Sequence, residues 1–223
     1  MSTSIHEILK TYWGHSTFRP LQEEIIQSIL SGKDTVALLP TGGGKSICYQ
    51  VPALAKDGLV LVISPLIALM KDQVEQLRRR GIIATAIHSG MRKSEIDIAL
   101  DNCIYGTTKL LYVSPERLKS DLFKERVQKM NITCIAIDEA HCISEWGHDF
   151  RPAYREIVAI RTLLPKVPMI AVTATANEMV LNDIMDQLSL QDPTIFTQSF
   201  TRKNLSYSCL YEENKEKRLV SML

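Results

Sequence analysis

The stretch Leu38-Leu39-Pro40-Thr41-Gly42-Gly43-Gly44-Lys45-Ser46 decides the fold. An apolar run ending at Leu39 meets a three-glycine turn, then Lys45, Ser46 and a second apolar segment from Ile47 to Leu54. Glycines let successive backbone N–H groups converge on one concavity, and a helix opening at its lip adds a positive dipole end. In such a loop the Lys45 ammonium reaches the β- and γ-phosphates of a nucleotide, and the Ser46 hydroxyl takes a place on Mg²⁺. The full phosphate-loop pattern asks for glycine at position 39, where Leu39 stands. Only the second half, Thr41, Gly42, Gly43, Gly44, Lys45 and Ser46, is intact, so a plain glycine turn between strand and helix is the other reading.

Outward from the loop, short apolar strands alternate with amphipathic helices. Strands are expected at Val36–Leu39, Leu59–Ile63, Ile82–Ile87, Leu110–Val113, Ile132–Ile137, Met169–Val172 and Thr194–Phe196. Helices are expected at Ile5–Tyr12, from Pro20 toward Leu30, and at Pro65–Arg80, Arg92–Leu100, Pro115–Lys129, Pro152–Leu164 and Asn177–Leu188. That alternation predicts an α/β fold of the P-loop NTPase kind, a largely parallel sheet with helices on both faces. Ligands in such sheets bind outside the carboxyl ends of the strands. The glycine loop, Ser64, Ser114, Asp138 and Thr173 each follow a strand, which argues for one shared site.

The 223 residues fit one large domain, or a domain with a tail, and the 45% hydrophobic content supports a sizeable core. With 26 basic against 25 acidic residues, nucleic-acid binding would need a local patch rather than bulk charge. No apolar run approaches membrane-span length, and the N-terminus lacks a signal-peptide apolar region. The five cysteines include no C-x-x-C pair, and two lie in apolar surroundings. A reduced, cytoplasmic, non-secreted protein is the simplest account.

Four further clusters carry chemistry. Asp138-Glu139-Ala140-His141 ends an apolar strand, where a nucleotide-bound Mg²⁺ needs a hard oxygen ligand and a second carboxylate can orient water. Arg19 and Gln22 precede the loop. A glutamine amide pairs with adenine N6 and N7, and an arginine plane stacks on the base. Cys142 to Pro152 interleaves Trp146, His148 and Phe150 with polar residues; the rings either stack single-strand bases or tuck into the core. Thr173 and Thr175 either link the phosphate site to a distant surface or cap the next helix. Ser64-Pro65 and Ser114-Pro115-Glu116-Arg117 either grip nucleic-acid phosphates or serve as ordinary caps.

Taken together, these motifs resemble the first RecA-like motor domain of RecQ-family DNA helicases, in helicase superfamily two, from about Ile8 to Leu210. Phe18 to Gln22 resembles the family's adenine segment, and Thr41 to Ser46 its phosphate loop, which in this superfamily lacks the first glycine. Asp138 to His141 is a DEAH box, and Val62 to Leu66 and Tyr112 to Arg117 resemble DNA-contact motifs. Ala171 to Ala176 resembles the motif linking ATP state to DNA. Ser144 to Arg151 resembles the aromatic-rich loop of RecQ enzymes. His15 stands where many family members have a tyrosine, and an imidazole stacks less broadly.

The resemblance implies ATP and Mg²⁺ as cofactors. Lys45, Asp138 and Glu139 would be catalytic, Ser46 and Asp138 the magnesium ligands. His15, Arg19, Gln22 and the loop from Thr41 to Ser46 would hold ATP. Ser64, Ser114, Arg117, Trp146, His148, Phe150, Arg151, Thr173 and Thr175 would couple to DNA. It implies residues 1–208 as the motor domain and 209–223 as a linker opening a second RecA-like domain, which with DNA is the expected partner of a monomeric enzyme. A family member of this type continues into a four-cysteine zinc module and a winged helix; the cysteine spacing here provides no zinc site. A standalone nucleotide- or DNA-binding module, or an RNA helicase or remodeller of the same superfamily, are the competing readings.

Overall fold

A computed structural model describes residues 4–147, 149–199, 205–206, 208–209, 211 and 213–220. His148 and most of positions 200–212, where the expected linker begins, lie outside the described residues.

Seven strands, β1 (Thr35–Leu38), β2 (Leu59–Ile63), β3 (Ala84–Ile87), β4 (Leu110–Val113), β5 (Ile132–Ile137), β6 (Met169–Thr173) and β7 (Thr194–Thr197), form one sheet in the order β3-β4-β2-β5-β6-β1-β7. Every pairing is parallel. A parallel sheet must be covered on both faces, and side chains alternate accordingly. Along β2, Leu59, Leu61 and Ile63 enter one core, and Val60 and Val62 enter the other.

The first face is covered by α5 (Lys93–Tyr105), α6 (Asp121–Val127), α7 (Ile157–Leu163) and α8 (Glu178–Gln187), which contribute Leu100, Phe123, Ile157 and Ile184. The second is covered by α2 (Gln22–Leu30), α3 (Ile47–Ala55) and α4 (Ile67–Arg79), which contribute Ile25, Tyr49 and Met70. Outside them α1 (Ile5–Trp13) packs Ile5 and Ile8 with Ile26 and Val51. Ser4 and Glu7 form the capping box that starts α1, and Gly14 at φ 72° ends it. Among the described residues no helix is long and apolar enough to cross a membrane.

Several element boundaries differ from the pattern-based expectation. Trp13 is helical rather than part of a turn. Pro20 stays outside α2, because Leu21 at φ 67° turns the chain just before Gln22. The helix expected over Pro115–Lys129 is two pieces, a 3-10 turn Pro115–Lys119 and α6, separated by extended Ser120 at ψ 124°. The next helix likewise starts as a 3-10 turn, Pro152–Glu156. Periodicity cannot separate these cases, since 3-10 and α turns bury nearly the same positions. β3 starts at Ala84 because Ile82 is spent on the C-terminal turn of α4, its N–H donating to Leu77 O at 3.0 Å. Four cysteines are buried rather than two: Cys48, Cys103, Cys134 and Cys142. A short α9 (Lys215–Val220) lies in the charged tail, where no helix was expected.

The sheet places its chemistry in one row. Ser114 N–H donates to Ile87 O, Ser64 N–H to Val113 O, Asp138 N–H to Ile63 O, and Leu39 N–H to Thr173 O, all at strand carboxyl ends.

Candidate active site

The glycine loop leaves β1 through Pro40 and enters α3 at Ile47. Gly42 at φ 79° and Gly44 at φ 76° adopt left-handed backbone that side chains disfavour. Gly43 closes the turn, its N–H donating to Pro40 O at 2.8 Å, the atom that an added Cβ would strike. The Ser46 hydroxyl does not cap α3, so it remains at the lip of the site.

Arg19 and Gln22 brace this loop. The Gln22 amide nitrogen donates to Gly43 O at 3.2 Å and Gly44 O at 3.1 Å, and Gln22 Oε1 accepts from Arg19 N–H at 2.9 Å. The Arg19 guanidinium donates to Gly42 O. Here the expected adenine readers are turned onto the loop's carbonyls; to meet a base, Gln22 has to release them. The left-handed turn at Leu21 is what aims Gln22 this way, and sequence pattern does not reveal it.

His15, Arg19, Gln22, Lys45, Ser46, Asp138 and Glu139 line one cleft of about 850 Å³. Asp138 is buried at the end of β5, and its backbone carbonyl accepts from the Tyr154 hydroxyl at 2.7 Å. Burial first, then the neighbouring Glu139 charge, pushes the Asp138 carboxyl up to about 6, while Lys45 pulls the other way. Glu139 sits at φ 47°, a costly conformation for a non-glycine residue that fixes where its carboxylate leaves the strand. A hydroxyl and a carboxylate beside a lysine form a hard-oxygen donor set that fits Mg²⁺. Thr41 and Gly42 are exposed, and of the two Gly42 lines the cleft.

From Glu139 a polar chain leads away. Glu139 Oε2 lies 3.5 Å from His141 Nδ1, which is hydrogen-bonded to the buried Thr173 hydroxyl at 2.8 Å. Thr175 N–H also donates to that hydroxyl, at 3.2 Å. The cap of α8 is instead Asn177, whose Oδ1 accepts from Val180 N–H at 2.9 Å. Thr173 is therefore spent on linkage and not on capping. On the other side of His141, Cys142 Sγ lies 3.8 Å from Nε2 and 3.7 Å from Asp149 Oδ2. Arg151 then donates to Asp149 at 3.1 Å and to Pro65 O at 3.2 Å. His141, Cys142 and Asp149 bring three donor atoms within 4.8 Å, but Asp149 is already committed to Arg151, so the trio reads as linkage.

Trp146 is 69% exposed, so its ring is not tucked beneath the loop. Phe150 is half-buried with the Arg155 guanidinium 5.2 Å from its ring centre. The two Ser-Pro turns differ from expectation. Ser64 and Ser114 are buried, neither side chain caps a helix, α4 begins only at Ile67, and Ser114 opens a 3-10 turn. Neither hydroxyl is placed to meet a nucleic-acid phosphate; the surface there falls to backbone and to half-buried Arg117. Sequence reasoning passed over Tyr154, Asp149 and Gln50. A tyrosine two residues past Pro152 was the available signal for the first.

The sequence profile of DEAD/DEAH box helicases matches residues 19–184, which includes every cluster just described except His15. The chain belongs to the DEAD/DEAH box helicase family. It is 45% identical over 202 residues, 91% of its length, to the ATP-dependent DNA helicase RecQ of Pasteurella multocida, of which it covers 32%. It is 45% identical over 205 residues, 92% of its length, to the probable ATP-dependent DNA helicase RecS of Bacillus subtilis, covering 41%. The chain thus spans about a third to two-fifths of the length of these relatives. Among solved structures, the Hef helicase domain of Pyrococcus furiosus matches with a TM-score of 0.60 at 20% identity, over 81% of this chain and 38% of that one. The helicase MrfA bound to DNA and AMPPNP matches with 0.70 at 17% identity, over 88% and 29%. At such identities these structures bear on the fold alone.

Proposed function

We propose that this domain is the nucleotide-binding motor lobe of an ATP-dependent DNA helicase that moves 3′ to 5′ along single strands and unwinds duplex. The observation that carries the reading is the single cleft holding Lys45, Ser46, Asp138 and Glu139, with Arg19 and Gln22 at its rim. Loop N–H groups and Lys45 hold the β- and γ-phosphates, and Glu139 orients the attacking water. Ser46 and Asp138 would hold Mg²⁺, which when bound would offset charge on the transferring phosphoryl group. Gln22 keeps the loop braced while nucleotide is bound, and the base lies at the rim beside His15 and Arg19.

DNA bound at Trp146 and Phe150 biases the loop that Arg151 and Asp149 anchor. Through Cys142 and His141 that bias reaches Glu139 and Thr173. His148 and Thr175 belong to the same proposed surface, with Arg117 and the turns at Ser64 and Ser114 beside it. A second RecA-like lobe of the complete protein closes the cleft and supplies the arginine finger, worth about 10³–10⁵ in turnover. The enzyme acts as a monomer in the reducing cytoplasm.

Two measurements test this. In the complete protein, single-stranded DNA should stimulate ATP hydrolysis far more than RNA does, and Lys45→Ala should abolish it; equal stimulation by RNA would sink the DNA reading. The 223-residue chain alone should bind nucleotide weakly and hydrolyse it negligibly, and a robust DNA-stimulated rate from it would overturn the two-lobe reading.

A further inference from the structure

Gln50 is an uncharged side chain buried to 4% exposure in the phosphate-loop helix, four residues beyond Ser46. Its amide nitrogen donates twice, to Gln73 Oε1 at 2.8 Å and to the Tyr112 hydroxyl at 3.1 Å. The partners come from two other elements. Gln73 belongs to α4, the helix that begins just after Ser64-Pro65-Leu66. Tyr112 belongs to β4, two residues before Ser114-Pro115. One buried amide thus joins the nucleotide-loop helix to α4 and β4, the elements that adjoin the two Ser-Pro turns.

Apolar contacts between α3, α4 and β4 tolerate small slides, whereas hydrogen bonds of fixed geometry do not. A displacement of α3 when phosphate loads Lys45 and Ser46 must either carry Tyr112 along, with half-buried Gln73, or leave the buried Gln50–Tyr112 bond broken, which is costly. The preceding residue, Tyr49, carries an unspent polar group on the same helix. The Tyr49 hydroxyl is fully buried and makes no hydrogen bond of normal geometry among the described residues, although it faces Ser46 and Tyr112. A small rotation of α3 that completes that bond is favoured by the same rule. A second packing of α3 with Tyr49 paired would meet the physical requirement for coupling between sites, one element with two arrangements biased from both ends.

We propose that Gln50 is a positioning residue that couples the phosphate loop to the two Ser-Pro turns through Gln73 and Tyr112, by a route separate from His141 and Thr173. The inference deepens the helicase reading and rests on it for the role of the turns. The movement itself can be tested without any helicase activity.

Hydrogen exchange is followed at the amides of Ser64, Leu66, Ser114 and Arg117 in the 223-residue chain, with and without a saturating magnesium–nucleotide analogue. The parent chain should show a nucleotide-dependent change at these amides. Gln50→Leu and Tyr112→Phe should reduce it about fivefold, within the range for residues linking two sites, while the change at residues 41–46 persists. An undiminished response at the turns in both variants would overturn the proposal, as would a response confined to the loop in the parent chain. Loss of the loop response in Tyr112→Phe would also overturn it, because the role would then be structural. In the complete protein, Tyr112→Phe should lower the ratio of DNA-stimulated to basal turnover and leave basal turnover unchanged. Absence of any DNA stimulation in the parent enzyme would instead sink the helicase reading, while the exchange data still decide the role of Gln50.

Discussion

His141 Nδ1 and the Thr173 hydroxyl lie 2.8 Å apart in a fully buried contact that joins the DEAH box to the end of β6. The same nitrogen is 3.5 Å from Glu139, so the ring lies between that carboxylate and the strand that leads to α8. Thr173→Val keeps the shape and removes the hydroxyl, and with it one buried hydrogen bond of the ring, at a cost of about 0.5–1.5 kcal/mol. In the complete protein, DNA-stimulated ATP hydrolysis should fall about tenfold, the equivalent of about 1.4 kcal/mol. Fluorescent-nucleotide affinity should stay close to the parent value. Unchanged stimulation in this variant would refute the link.

Asp138 is expected to trade stability for chemistry. Its folded value of about 6 lies above the ordinary 3.8 of an aspartate, so between those values the folded state holds more protons than the unfolded chain. Stability therefore falls as pH rises through that window, and the cost of the buried charge is fully present above about pH 6. Two units correspond to roughly 3 kcal/mol. Asp138→Asn should melt several degrees higher than the parent chain at pH 7.5, with the gap narrowing by about half toward pH 5, and should lose magnesium-dependent nucleotide binding. A gap that does not vary with pH would contradict the assignment.

The alternation of apolar runs with helical periodicity was enough to place seven parallel strands and the row of residues at their carboxyl ends. Such strands are buried on both faces and read as continuous apolar segments, as Leu59–Ile63 does with all five residues buried. What stayed hidden depended on backbone turns and long-range pairing. Leu21 at φ 67° aims Gln22 at the glycine loop, and nothing about leucine signals that conformation. Ser64 and Ser114 looked like caps because the residue types fit, yet tertiary packing buries both hydroxyls. Gln50 and Tyr112, 62 positions apart, meet only in the folded sheet.

Asp34, at the entrance to β1, is the main polar staple of the opposite end of the sheet. Its carboxylate accepts from Met169 N–H and Gln191 N–H, each at 2.8 Å, and pairs with the Arg161 guanidinium. Both side chains are largely buried, at 3% and 11% exposure. Removing one partner of a buried pair strands the other charge at a cost of about 3–5 kcal/mol. Asp34→Ala should lower the melting temperature by roughly 10 °C, given about 2–4 °C per kcal/mol for a domain of this size. A melting temperature within a degree or two of the parent would show that the pair is dispensable.

Gly42 and Gly44 share the left-handed conformation but differ in surroundings, and the difference yields a paired prediction. A Cβ at Gly42 meets nothing within 4 Å, so Gly42→Ala carries only the backbone cost of about 1–2 kcal/mol. A Cβ at Gly44 would lie 2.5 Å from Gln22 Nε2, so Gly44→Ala must also push the glutamine off its two carbonyl partners. Nucleotide affinity, measured by fluorescence titration of the 223-residue chain, should drop modestly for Gly42→Ala and much further for Gly44→Ala. The double variant Gln22→Ala/Gly44→Ala should bind no worse than Gly44→Ala alone, because the clamp is already displaced in the single variant. Additive losses would mean that Gln22 acts on the nucleotide independently of the loop, and the bracing role assigned to it would be wrong.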